Sequence, residues 1–161
     1  MKHIRKIFPE RNDEVIKQYV NKALELVYQK DRALITHQAN ERSIVFRFGL
    51  YLYEIIKNSN FSDFDIDVEY NRNGYDAKRI PSRPNGSYPD LIIHCRTSNE
   101  CNLLVLEFKT EWSNQNQQDD ESKIRDFMNK DGEYKFRYGA TILIKEDDFN
   151  INWIEPYCEK Q

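Results

Sequence analysis

Three features of the 161-residue chain predict an α/β fold with a mixed central sheet flanked by helices. Two stretches with helical apolar spacing open it, strand-length apolar runs follow, and a third helical stripe falls between those runs. Taken in order, the elements read ααβββαββ.

From Asn12 to about Gln29, apolar residues from Val15 to Val27 recur at helical spacing behind an Asn-Asp start suited to capping. The second helix runs from about Asn40 to Lys57, with Ile44, Val45, Phe48, Leu52, Ile55 and Ile56 as its stripe. "FDIDVEY" (64–70) alternates apolar and acidic residues, the pattern of a half-exposed strand. The runs at 90–95 and 102–109 are nearly continuous, as strands covered on both faces are, and "RTSNE" turns between them. A third helix spans about Asp119 to Asn129 with Ile124, Phe127 and Met128 inward. "YGATILIK" (138–145) reads as another buried strand and "INWIEPY" (151–157) as an edge strand.

The length suits one domain with a real core, 1–161, whose central part is about 38–145. A hydrophobic share of 39% supports a folded chain, and five Gly with five Pro leave little for linkers. The net charge of −3 neither marks nor excludes a nucleic-acid binder, because 24 Lys and Arg can gather on one face. Cys95, Cys101 and Cys158 show no CxxC spacing, which argues against zinc or a disulfide scaffold and suits a reducing cytoplasm. "MKHIRKIFPE" is too charged for a signal peptide, and no window approaches the ~20 apolar residues of a membrane span. No repeat, Gly-rich phosphate loop or low-complexity tract is present.

The acids then stand out. At ~100° per residue Glu41 shares the face of the apolar stripe on the second helix, whereas Glu54 falls on the opposite, solvated face. Glu41 is either a dipole-favoured acid of the first turn with its tip in water, or a carboxylate that needs a partner. Glu107 and Lys109 are two apart in a strand and share a face, while Phe108 points to the other. Asp90 opens the preceding strand, and a hairpin would bring it beside Glu107. Two neighbouring carboxylates repel unless a proton or a metal intervenes, and oxygen ligands of this kind suit Mg²⁺. The alternative is an exposed Glu-Lys surface pair, against which stands the buried-looking "NLLVL" before Glu107.

Pro89-Asp90, sixteen residues, then Glu107-Phe108-Lys109 resembles the signature of the PD-(D/E)xK nuclease superfamily. The surrounding helix with a Glu, three-stranded meander, helix and further strand resemble its restriction-endonuclease-like core over about residues 38–145. The resemblance implies a metal-dependent phosphodiesterase. In it Asp90, Glu107 and Glu41 bind Mg²⁺ (or Mn²⁺ in its place) with the Phe108 carbonyl, and Lys109 assists the attacking water. Similar proteins often carry His-Arg where this chain has Phe46-Arg47.

Secondary candidates surround this set. Asp120 and Lys123 flank the third helix's stripe; Lys123 offers a phosphate contact, but a plain ion pair between the two is the leading expectation. Glu69 is a weaker candidate ligand, and His94, four residues along from Asp90, reads as structural. The loop "NRNGYDAKRIPSRPNGSY" (71–88) brings Arg72, Lys78, Arg79 and Arg83 together with tyrosines, a composition suited to backbone phosphates and equally to a solvated basic loop. The expected partner is nucleic acid, DNA ahead of RNA, with a homodimer left open. A nuclease-like module that binds without cutting is the alternative.

Overall fold

The computed structural model describes residues 13–114 and 117–156. The proposed cap at Asn12, the strand end at Tyr157, and Cys158 lie outside the described residues. The observed order is α1 (Asp13–Lys30), α2 (Arg32–Thr36), α3 (Glu41–Ile56), β1 (Asp65–Val68), β2 (Arg72–Asn73), β3 (Asp76–Ala77), β4 (Leu91–His94), a 3₁₀ turn (Asn99–Cys101), β5 (Leu104–Thr110), α4 (Gln117–Met128), β6 (Tyr138–Ile144) and β7 (Phe149–Trp153).

Five strands form one mixed sheet in the order β1-β4-β5-β6-β7. β1, β4 and β5 are antiparallel neighbours, β5 and β6 are parallel, and β7 returns antiparallel on the edge. The parallel step needs a crossover, which α4 supplies. Side-chain alternation divides the sheet into two cores. Leu91, Ile93, Leu104, Leu106 and Phe108 pack against the stripes of α1 and α3, with the Phe48 and Phe108 rings 5.1 Å apart. Ile92 and Val105 point the other way, onto Ile124, Phe127 and Met128 of α4. Every residue of β4 and β5 is buried, so the continuous apolar runs do mark strands covered on both faces.

The predicted order lacked three short elements. α2 has five residues, too few for a helical period to register. The β2–β3 hairpin pairs only two residues a side, around Gly74, which takes the positive φ of 59° that the turn requires. Among the described residues no helix is long and apolar enough to cross a membrane.

α3 and α4 bring the chemistry to the sheet, and each comes close at a glycine. A Cβ on Gly49 would meet Leu91 at 3.3 Å, and one on Gly139 would meet Met128 Sδ at 2.5 Å and Ile124 Cγ2 at 2.6 Å. Gly139 therefore sets how near α4 lies to β6. Gly139→Ala should destabilise the protein by about 1–3 kcal/mol through overpacking, measured by urea unfolding; an unchanged midpoint would show that α4 shifts freely.

Candidate functional site

The site forms where β4 and β5 part. Their pairing ends at Leu91 with Leu106, and one more step along each strand brings Asp90 opposite Glu107. Both acids project on the α4 face with Lys109, because residues two apart share a side of the sheet. Asp90 Oδ2 accepts a 2.6 Å hydrogen bond from the Phe108 amide. The Phe108 carbonyl leaves the strand on that same edge, where β4 offers no further partner. Glu41 reaches the site from the first turn of α3, whose start is capped by Asn40 accepting from the Arg42 amide.

Asp90 and Glu41 line a cleft of about 490 Å³ with Val45, Glu69, Thr110 and Trp112. Glu107 does not line it. That residue is 3% exposed, under α4. Lys123 Nζ lies 2.7 Å from Glu107 Oε1 and donates to the Tyr88 carbonyl at 2.8 Å, while Lys109 Nζ lies 3.1 Å from Asp120 Oδ2. Asp120 and Lys123 thus do not pair with each other, contrary to the surface ion pair expected: each reaches inward to a β5 residue. Glu107 Oε1 and Asp120 Oδ2 are both buried, and the ammoniums of Lys123 and Lys109 are the charges that face them.

The electrostatics follow from this crowding. Burial, then the Asp90 carboxylate, raises Glu107 well above its ordinary value, and the same two causes push Glu41 up to about 7. Burial also raises Asp90 and Asp120. For Lys109 burial opposes the charge, but Asp120, Glu41 and Asp90 together outweigh it and hold the ammonium above its usual range. Among the described residues no three His, Cys, Asp or Glu side chains are drawn tightly enough together to hold a metal ion, the two ammoniums standing among the acids instead. The donors that Asp90, Glu107 and Glu41 present are hard carboxylate oxygens, the kind that Mg²⁺ takes.

Several other sequence-level candidates are placed differently. Lys78, grouped with the phosphate-binding cations of the loop, is 2% exposed and stacked over the rings of Tyr70 and Tyr134. The loop folds back onto α4, so its alternation turns Lys78 inward and leaves Arg79 exposed. Arg72 is exposed as well, while Arg83 is ion-paired to Asp119. Glu69 borders the cleft but is engaged by Arg42 at 2.8 Å. His94 contacts Asp67 at 2.8 Å and is buried, which agrees with a structural role. Phe46 is exposed beside Asp31 and Arg47 on the outer side of α3, away from the acids. The inward partner of Asp120 is not visible in the sequence, because it lies eleven residues away on another element.

No protein-family model matches the chain, and no curated protein matches it.

Two outcomes test the electrostatics. Glu41 titrates near 7 in the folded, metal-free protein and near 4.5 when unfolded, so its stabilising contribution is complete below about pH 4.5 and lost as pH rises through 7. Thermal melting in EDTA should fall across that window, and Glu41→Gln should flatten the fall; an identical slope in the variant would reject the assignment. Glu107→Gln removes a buried charge that repels Asp90, so its metal-free melting temperature at pH 7 should match or exceed wild type. A loss of several degrees would instead make the Glu107–Lys123 pair a structural tie.

Proposed function

We propose that this chain is a Mg²⁺-dependent nuclease of the PD-(D/E)xK type on a restriction-endonuclease-like fold, hydrolysing nucleic-acid phosphodiester bonds. One observation carries the reading. Four carboxyl groups (Glu41, Asp90, Glu107 and Asp120) surround two ammonium groups, Lys109 and Lys123, at the parting of two central strands. Fully ionised, the set is two positive charges short, the charge of a divalent cation. The meander β1-β4-β5, the α4 crossover to parallel β6 and the acid on the preceding helix agree with the arrangement the signature implies.

In this reading Asp90, Glu107, Glu41 and the Phe108 carbonyl hold Mg²⁺, with Mn²⁺ able to substitute. The bound metal supplies Lewis-acid polarisation of the phosphate and a more acidic water. Lys109, kept protonated by Asp120, Glu41 and Asp90, would orient the attacking water and stabilise developing charge on the phosphate. Lys123, whose side chain is 15% exposed, is the cation best set to meet a phosphate oxygen once freed from Glu107. Arg72 and Arg79, exposed on the basic loop, contribute backbone contacts, with Arg83 tied to Asp119 beside them. DNA is favoured over RNA as substrate. The thiols of Cys95 and Cys101 suit a reducing compartment, and the cytoplasm is the proposed location.

A second reading is a nuclease-like module that binds nucleic acid or a protein without cutting. It is favoured by the two ion pairs that close over Glu107 and Asp120.

Cleavage of single- and double-stranded DNA and RNA in Mg²⁺ or Mn²⁺ separates the two. Lys109→Ala should lower turnover by about 100-fold or more with little change in nucleic-acid affinity. Arg79→Ala should weaken binding and flatten its log–log salt dependence by roughly one unit. No cleavage by wild type across the panel, with metal shown to be bound, would establish the non-cutting module.

A further inference from the structure

At the far end of β4 from Asp90 lies a second pocket, of about 230 Å³, beneath the β2–β3 hairpin. Its lining includes Tyr70, Arg72, Lys78, Arg96, Thr97 and Ser98. Asp90, Ile92 and His94 alternate onto one face of the sheet, so the pocket stands ~13 Å along the strand from the acids.

Lys78 is the unusual member. Its backbone is pinned on both sides, the amide donating to Asn71 O at 2.8 Å and the carbonyl accepting from Ser87 N at 2.7 Å. The side chain is thereby directed inward, 2% exposed, with Nζ 4.6 Å from the Tyr134 ring centroid and 5.4 Å from that of Tyr70. Among the described residues no carboxylate forms an ion pair with it. Burial pushes its pKa down to about 8, opposed by Glu133. Two aromatic faces offset part of the desolvation of an ammonium, but they do not neutralise it.

The other charges around the pocket are accounted for. Asp67 is bound by His94 and by Arg96, Asp65 by Arg96, and Glu133 by Asn73. Arg72 is exposed on the hairpin with its guanidinium unpaired among the described residues. The pocket therefore holds two cations, Lys78 and Arg72, that form no ion pair with an acid among the described residues, Glu133 acting on Lys78 only from a distance. A nucleobase is a poor occupant, because Tyr70 is already covered by Lys78 and by the His94 ring at 4.6 Å. A tetrahedral oxyanion suits the set: a point charge from lysine, a planar fork from arginine, and rim hydroxyls on Thr97 and Ser98.

We propose that this pocket binds a phosphate group, with Lys78 and Arg72 as its charged donors. The proposal stands independently of whether the acid cleft cuts nucleic acid. Two sources share the chemistry: free inorganic phosphate and the terminal phosphate of a nucleic-acid strand.

Calorimetric titration of the full chain with inorganic phosphate, in EDTA and at constant ionic strength, should give saturable binding near one equivalent. Lys78→Met, which leaves an apolar chain between the two rings, should abolish it. Arg72→Glu, at an exposed position that the fold does not need, should weaken it roughly tenfold or more, the size of a charged hydrogen bond. Should Lys78→Met fail to fold, Arg72→Glu decides. Oligonucleotides with and without a terminal 5′- or 3′-phosphate then separate the sources. Tighter binding of a phosphorylated strand, lost in Arg72→Glu, assigns the pocket to strand ends; equal binding of both strands assigns it to the free anion. Absence of saturable phosphate binding by wild type, or binding unchanged in the variants, overturns the proposal.

Discussion

Glu107 lies within β5, 3% exposed, on a strand whose other face packs Leu104, Leu106 and Phe108 against α1 and α3. A carboxylate there cannot be charged without compensation, and Asp90 on the adjoining strand makes the demand greater. Much of the local architecture answers that demand. α4 packs tightly over Gly139, which lets Lys123 and Asp120 reach down to the sheet. The basic loop closes over α4 through Ser82 on Asp126 and Arg83 on Asp119. Even so, compensation is partial: the buried acids stay above their ordinary pKa values. A site of this kind accepts a cation readily, because binding one relieves repulsion already present in the fold.

The same loop presents the converse problem. Lys78 is a buried cation with no ion pair among the described residues, held between two tyrosines. At one end of β4 four carboxyls outnumber two ammoniums, and at the other Lys78 and Arg72 form no ion pair among the described residues. Such a division gives polarity along the strand, despite a chain whose net charge is only −3.

Periodicity and burial pattern were enough to determine the layers. Helical stripes, a half-exposed β1 and continuous apolar runs for β4 and β5 are local consequences of 3.6- and 2-residue repeats, and the elements fall within a few residues of where those repeats place them. The short α2 and the β2–β3 hairpin escaped because two to five residues carry too little of a repeat to be read. Strand alternation also put Glu107 and Lys109 on one face, and the PD…EFK spacing brought Asp90 to them.

What the chain alone left open was every relation between elements. Whether Glu41 is a solvated first-turn acid or a wall of the cleft depends on how α3 crosses the sheet, a matter of packing at Gly49 and Phe48. That Asp120 and Lys123 bind β5 instead of each other depends on the depth at which α4 lies. That Lys78 turns inward while Arg79 faces water depends on where a loop folds back. Charge, hydropathy and spacing along the sequence describe a residue's own preferences; its partner is chosen by distances that exist only after the core has closed.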